Sequence, residues 1–130
     1  MRIRVLAYLC LCFALSGCVI GYGNCLFMEP VKHTLTGHVH FRDYPAADGM
    51  DNVPVLSLDQ TAYLYSPAHS HQCLSANELQ LIGIAEFPQD VIENSHVSVH
   101  GSLIEAASPR HHTGFLMNVT SILPIRAPSR

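Results

Sequence analysis

Apolar and polar residues alternate at a spacing of two along much of this chain, and no amphipathic helical face longer than two turns can be traced in it. A strand sends successive side chains to opposite faces, so this alternation marks half-buried strands. Val31, Leu35, Val39 and Phe41 alternate with Lys32, Thr34, Thr36, His38 and His40, which predicts a first strand of about ten residues. Gly37 interrupts its buried face, which predicts a bulge or a close backbone approach. Val55 to Leu58 and Ala62 to Tyr65 are shorter strands separated by Asp59-Gln60, and Leu79 to Ala85 is a fourth. Phe87 to Ser95 reads as a connection with room for one helical turn. In His96 to Ile104, Val97, Val99, Gly101 and Leu103 alternate with His96, Ser98, His100 and Ser102. After a loop from Ser108 to Gly114, Phe115 to Ile122 forms the last strand. The expected fold is all-β: a small, partly closed OB-like barrel, because long strands carrying mid-strand glycines bend as such a barrel requires. A β-sandwich is the alternative.

At 130 residues the chain suits one domain. Its 48% hydrophobic and 13% charged residues exclude a disordered chain, and a net charge of -3 offers no basic surface to a nucleic acid.

The first residues carry an address. Arg2 and Arg4 precede an uninterrupted apolar run from Val5 to Ala14, and Leu15-Ser16-Gly17-Cys18 follows. A positive start, a short apolar core and small residues before a cut form a secretory signal. The run is shorter than the ~20 residues of a membrane-spanning helix. Its ending resembles a bacterial lipobox. The resemblance implies diacylglycerol on the Cys18 thiol, cleavage between Gly17 and Cys18, and a fatty acyl group such as palmitate on the new amine. Several acyl chains hold a protein on a bilayer where one does not. Val19, rather than the Asp of inner-membrane retention, follows Cys18 and points to the outer membrane, facing the periplasm. The organisation expected is a signal peptide over 1–17, a lipidated tether over 18–24, a β-rich domain over 25–122 and a tail over 123–130.

Five cysteines are present: Cys10, Cys12, Cys18, Cys25 and Cys73. The first two fall in the signal and Cys18 takes the lipid. Cys25 and Cys73 remain, and in an oxidising compartment they form a disulfide by default. Two free thiols, or thiolate ligands for a metal, are the alternative. Both cysteines are expected outside regular strands, Cys25 before the first and Cys73 in a loop.

The stretch Gly101-Ser102-Leu103-Ile104-Glu105-Ala106, followed by His111-His112-Thr113 and an apolar strand, resembles a family of uncharacterised bacterial envelope domains. That family carries Gly-x-Leu-Phe-x-Ala before a His-rich turn closing in His-His-Thr. Cys25, Glu29-Pro30-Val31 and Leu35-Thr36-Gly37 resemble its opening. The chain departs at Ile104, where an aromatic is usual, and at Ser108-Pro109-Arg110, where Thr-Gly-His is usual, so a third histidine of the turn is missing. The resemblance implies fold and location and no mechanism.

Nine histidines stand out. His38 and His40 share one face of a strand, as do His96 and His100, while His69, His71, His111 and His112 fall in loops. Neutral imidazoles suit Zn²⁺, Cu²⁺ or Ni²⁺. A metal site would draw on His111 and His112 with a strand pair such as His38 and His40. The plainer reading has the imidazoles bonding loop backbone and decorating a wet sheet face. For His111-His112-Thr113 a structural turn is expected, with ring nitrogens and the threonine hydroxyl satisfying backbone groups at a hairpin end. No His-Glu-x-x-His or Gly-x-Ser-x-Gly pattern occurs, and Asp48 and Asp51 beside Gly49 read as a Ca²⁺-binding or merely solvated turn. No enzyme is expected. The expected function is a lipid-anchored envelope binding module without cofactor, engaging a protein or cell-wall partner, in its most concrete form an inhibitor or immunity-type protein. The alternative is a histidine-based Zn or Cu envelope protein.

Overall fold

Six strands form in the computed structural model, which describes residues 25–84 and 89–126. They are β1 (Cys25–Leu26), β2 (Lys32–Ala46), β3 (Gly49–Ser66), β4 (Gln72–Ile82), β5 (His96–Glu105) and β6 (Phe115–Pro124). A 3₁₀ turn at Pro67–His69 leads from β3 to β4, and one helical turn, α1 (Gln89–Ile92), precedes β5. The signal over 1–17, the lipid site Cys18, the tether over 18–24 and the tail residues 127–130 lie outside the described residues.

Antiparallel ladders join β2 to β3, β3 to β4, β2 to β5 and β5 to β6, and a parallel ladder joins β4 to β6. Together they close a ring of hydrogen bonds through β2, β3, β4, β6 and β5, so the chain is all-β with the connectivity of a partly closed OB-like barrel. The closing parallel ladder is short, running only from Gln80↔Leu116 to Ile82↔Asn118. Inside lie Val39, Leu56, Leu64, Leu79, Leu81, Val97, Val99, Leu103 and Met117, with Ile92 of α1 packed among them.

Alternation predicts β5 well, since Val97, Val99, Gly101 and Leu103 are all buried. In β6 the phase changes partway. Met117 and Val119 point inward, and so does Ile122, because the register slips between His100/Gly101 and leaves Thr120 as an extra residue. β2 and β3 run well past their expected ends. Their added residues form a hairpin arm that pairs down to Ala46↔Gly49 around Ala47-Asp48. Little of this arm faces the core, so no apolar alternation marks it, and its strand pairing runs on without one.

Val55–Leu58 and Ala62–Tyr65 belong to one strand. Asp59-Gln60 lie at the irregularity where β3 spans Ser57 to Ala62 while β4 spans only Glu78 to Ala76. β4 begins at Gln72 rather than Leu79, because Gln72 to Ala76, of mixed polarity, pair with the end of β3. β6 continues through Leu123 and Pro124, which pair with Ser98 and Val97, so the tail begins later than expected.

The expected close approach at Gly37 is present: a Cβ there would run into the Ser57 carbonyl oxygen of β3. Gly101 is its counterpart, facing the Asn118 carbonyl of β6 in the same way.

Cys25 and Cys73 form a disulfide with Cα atoms 5.9 Å apart. Contrary to expectation, both cysteines are in strands. Cys25 pairs across from Tyr63 and Cys73 across from Tyr65, so the bridge ties β1 and β4 at the end of β3 that both flank.

Candidate functional site

The β2–β3 arm, the first half of β4 and the loop over residues 106–114 converge at one end of the ring. Tyr44 and Asp51 are cross-strand partners on the arm. The His112 ring lies flat on Tyr44, with centroids 4.6 Å apart and planes 4° from parallel. Its Nε2–H donates to Asp51 Oδ2 at 2.9 Å, and the two side chains are only 10% and 11% exposed. Arg110 reaches Asp51 Oδ1 at 3.3 Å and Asp48 Oδ2 at 3.5 Å. The acidic turn therefore answers the Arg110 guanidinium and the His112 ring N–H from the 106–114 loop.

A buried glutamine sets that loop. Gln80 Nε2 donates to the Arg110 carbonyl at 3.0 Å, and its Oε1 accepts the His112 amide at 2.7 Å. Thr113 Oγ1 accepts the Gln80 amide at 2.9 Å and donates to the Phe115 carbonyl at 2.6 Å. His111 Nδ1 accepts the Ala107 amide at 2.9 Å. In the His111-His112-Thr113 turn, then, the His111 ring and the Thr113 hydroxyl bond backbone groups while the His112 ring reaches across to the arm.

Beside this clamp lies an open cleft of about 490 Å³, lined by Tyr44, Asn77, Glu78, His112 and Phe115 among others. Arg42 holds Glu78 at 2.6 Å, and the Thr61 hydroxyl donates to Asn77 Oδ1 at 2.6 Å. The wall thus offers the uncovered part of the Tyr44 ring, an amide and a paired carboxylate, a mixture that binds by apolar contact and hydrogen bonding.

The four histidines expected to share a metal do not meet. His111 and His112 are engaged in the clamp, and His40 Nδ1 donates to Asn94 Oδ1 at 3.1 Å. His38 meets a different partner, because β2 and β5 pair in a register that sets it opposite His96. The two rings stack with centroids 4.5 Å apart and planes 13° from parallel. Asp59, displaced at the β3 irregularity, faces both: His96 Nε2 lies 2.6 Å from its Oδ2 and His38 Nδ1 lies 3.8 Å from its Oδ1. The His96 hydrogen bond, helped by the Thr36 hydroxyl and the nearby imidazoles, holds the Asp59 carboxyl below the usual carboxylate range against the opposing effect of desolvation. Among the described residues, this is the group of three potential metal ligands whose donor atoms all lie within 4.8 Å of one another.

Asp59 escaped sequence reasoning as a site residue because it reads as a strand break, and a break carries no chemistry until its neighbours are known. Gln80 did leave a signal, as the lone polar residue in Leu79-Gln80-Leu81-Ile82. No family model matches the chain, and no curated protein matches it.

Proposed function

We propose that the protein is a lipid-anchored module of the bacterial envelope, held on the outer membrane through Cys18 and facing the periplasm. Its β domain binds a partner protein without catalysing a reaction, in the manner of an inhibitor or immunity protein. The observation that carries this reading is the cleft between Tyr44, β4 and the 106–114 loop. OB-type barrels take ligands on their second and third ring strands and on the loops joining strands one to two and four to five. In this chain those are β3, β4, the 47–48 turn and the 106–114 loop. The correspondence is one of fold, which supplies a place rather than an identity. The hydrogen bonds and ring stack of the clamp support it, since a surface held in place before binding spends little entropy on it. The leader, with its positive start, apolar core and Leu15-Ser16-Gly17-Cys18, supports the anchor.

The test is affinity capture from envelope extracts in mild detergent, using the full chain and an Asn77→Arg variant. A partner protein held by the wild type and released by the variant is the expected result. Equal recovery by both, or no partner, overturns the reading. For the anchor, Cys18→Ser is expected to leave a full-length precursor that takes up no labelled fatty acid; processing and labelling like wild type would remove the lipid tether.

A further inference from the structure

We propose that His38, Asp59 and His96 together bind one divalent transition-metal ion, with Zn²⁺ and Cu²⁺ the species that the donor set fits. The site is separate from the cleft and does not depend on the docking role.

The geometry comes from register. His38 on β2 and His96 on β5 are direct cross-strand partners, so their imidazoles leave the sheet side by side. The rings now stack 13° from parallel, so both nitrogens reach one ion only when an imidazole turns out of the stack. The Nδ1 of one and the Nε2 of the other face the same carboxylate, at 3.8 Å and 2.6 Å. Metal–ligand bonds of about 2.0–2.2 Å around a tetrahedral ion leave neighbouring donor atoms roughly 3.3 Å apart. The two distances to Asp59 fall on either side of that value, so the spacing suits an ion once the exposed His38 side chain rotates. The ion would take the place of the proton now shared between His96 and Asp59.

A structural His–Asp hydrogen bond accounts for His96 and Asp59. Register sets the second imidazole beside the first, and that hydrogen bond leaves unexplained why it faces the other oxygen of the same carboxylate. Two neutral imidazoles and one carboxylate are a borderline-soft donor set that favours Zn²⁺ or Cu²⁺ over Ca²⁺ and Mg²⁺. The donor atoms of His38, Asp59 and His96 all lie within 4.8 Å of one another. His38 and His96 are 49% and 36% exposed, so solvent can reach the centre and complete the coordination. Three protein donors with an open position describe an exchangeable ion rather than a closed structural one.

The test is calorimetric titration of Zn²⁺ into the full chain in detergent, repeated for His38→Gln, Asp59→Asn, His96→Gln and a His71→Gln control. The expected result is one ion per chain at micromolar affinity, a roughly tenfold or greater loss in each of the three variants, and no change in the control. Millimolar binding by the wild type, or full binding by the His38→Gln and His96→Gln variants, overturns the proposal. A second measurement needs no variant. Substoichiometric Cu²⁺ should broaden the imidazole proton resonances of His38 and His96 before those of His71, and broadening without that order also overturns it.

Discussion

Gln80 holds His112: from the wall of the ring, its buried side chain accepts the His112 amide at 2.7 Å while donating to the Arg110 carbonyl two residues earlier. One side chain thus fixes a loop whose outer face stacks on the β2–β3 arm. The clamp depends on the short β4–β6 ladder, because Gln80 is also the residue that pairs with Leu116.

Gln80→Leu keeps the apolar contacts and removes both hydrogen bonds. An orphaned buried backbone group costs about 1–3 kcal/mol, so destabilisation of at least that size is expected. Amide exchange at His112 should quicken more than at Val99, which sits in the β5 ladders. Unchanged His112 exchange would show that the loop is held by other contacts.

Gly101→Ala and Gly37→Ala should each destabilise by about 1–3 kcal/mol, because the new methyl meets a backbone carbonyl of the neighbouring strand, which cannot rotate away. Gly114 has open space around it, so Gly114→Ala serves as the control and should be near neutral or slightly stabilising. Urea unfolding of the three variants decides the matter; equal midpoints would contradict the close approaches of β2 to β3 and of β5 to β6.

Cys25→Ser, Cys73→Ser and the double variant should lose the same amount, about 2–5 kcal/mol, since each removes the same cross-link. Intact mass after alkylation without reduction should show both thiols protected. Additive losses, or two alkylated thiols in folded protein, would contradict the bridge.

Asp59 should titrate below the 3.8 of an unperturbed carboxyl, chiefly because His96 hydrogen-bonds its ionised form. Its folded-state value is depressed, so its contribution to stability is present above the unfolded value and is lost as pH falls through the folded one. That window lies on the acid side of the ordinary carboxylate range. In His96→Ala the carboxyl resonance of Asp59 should titrate closer to 3.8. A midpoint that stays low in that variant would assign the shift to Thr36 instead.

The sequence by itself determined the class of structure, because alternation is a local property. The buried apolar positions of β5 follow from period two, though Ser102 is buried out of phase, and the same pattern located the break at Asp59-Gln60 and the crowding at Gly37. Setting aside the cysteines of the expected leader left Cys25 and Cys73 as the pair, and the bridge is present. The ends of β2, β3 and β4 were hidden, because a ladder exposed to water needs no apolar pattern to persist. Which side chains meet was decided only by tertiary structure. His38 was legible as an outward-facing histidine, yet whether it lies beside His40, His112 or His96 depends on how β2 and β5 are aligned. Asp59 joins them because β3 carries extra residues at its irregularity. Gln80 became a clamp only when β4 closed against β6. Register is set by the summed pairing of the whole sheet, and a shift of one residue would turn each of these side chains to the other face.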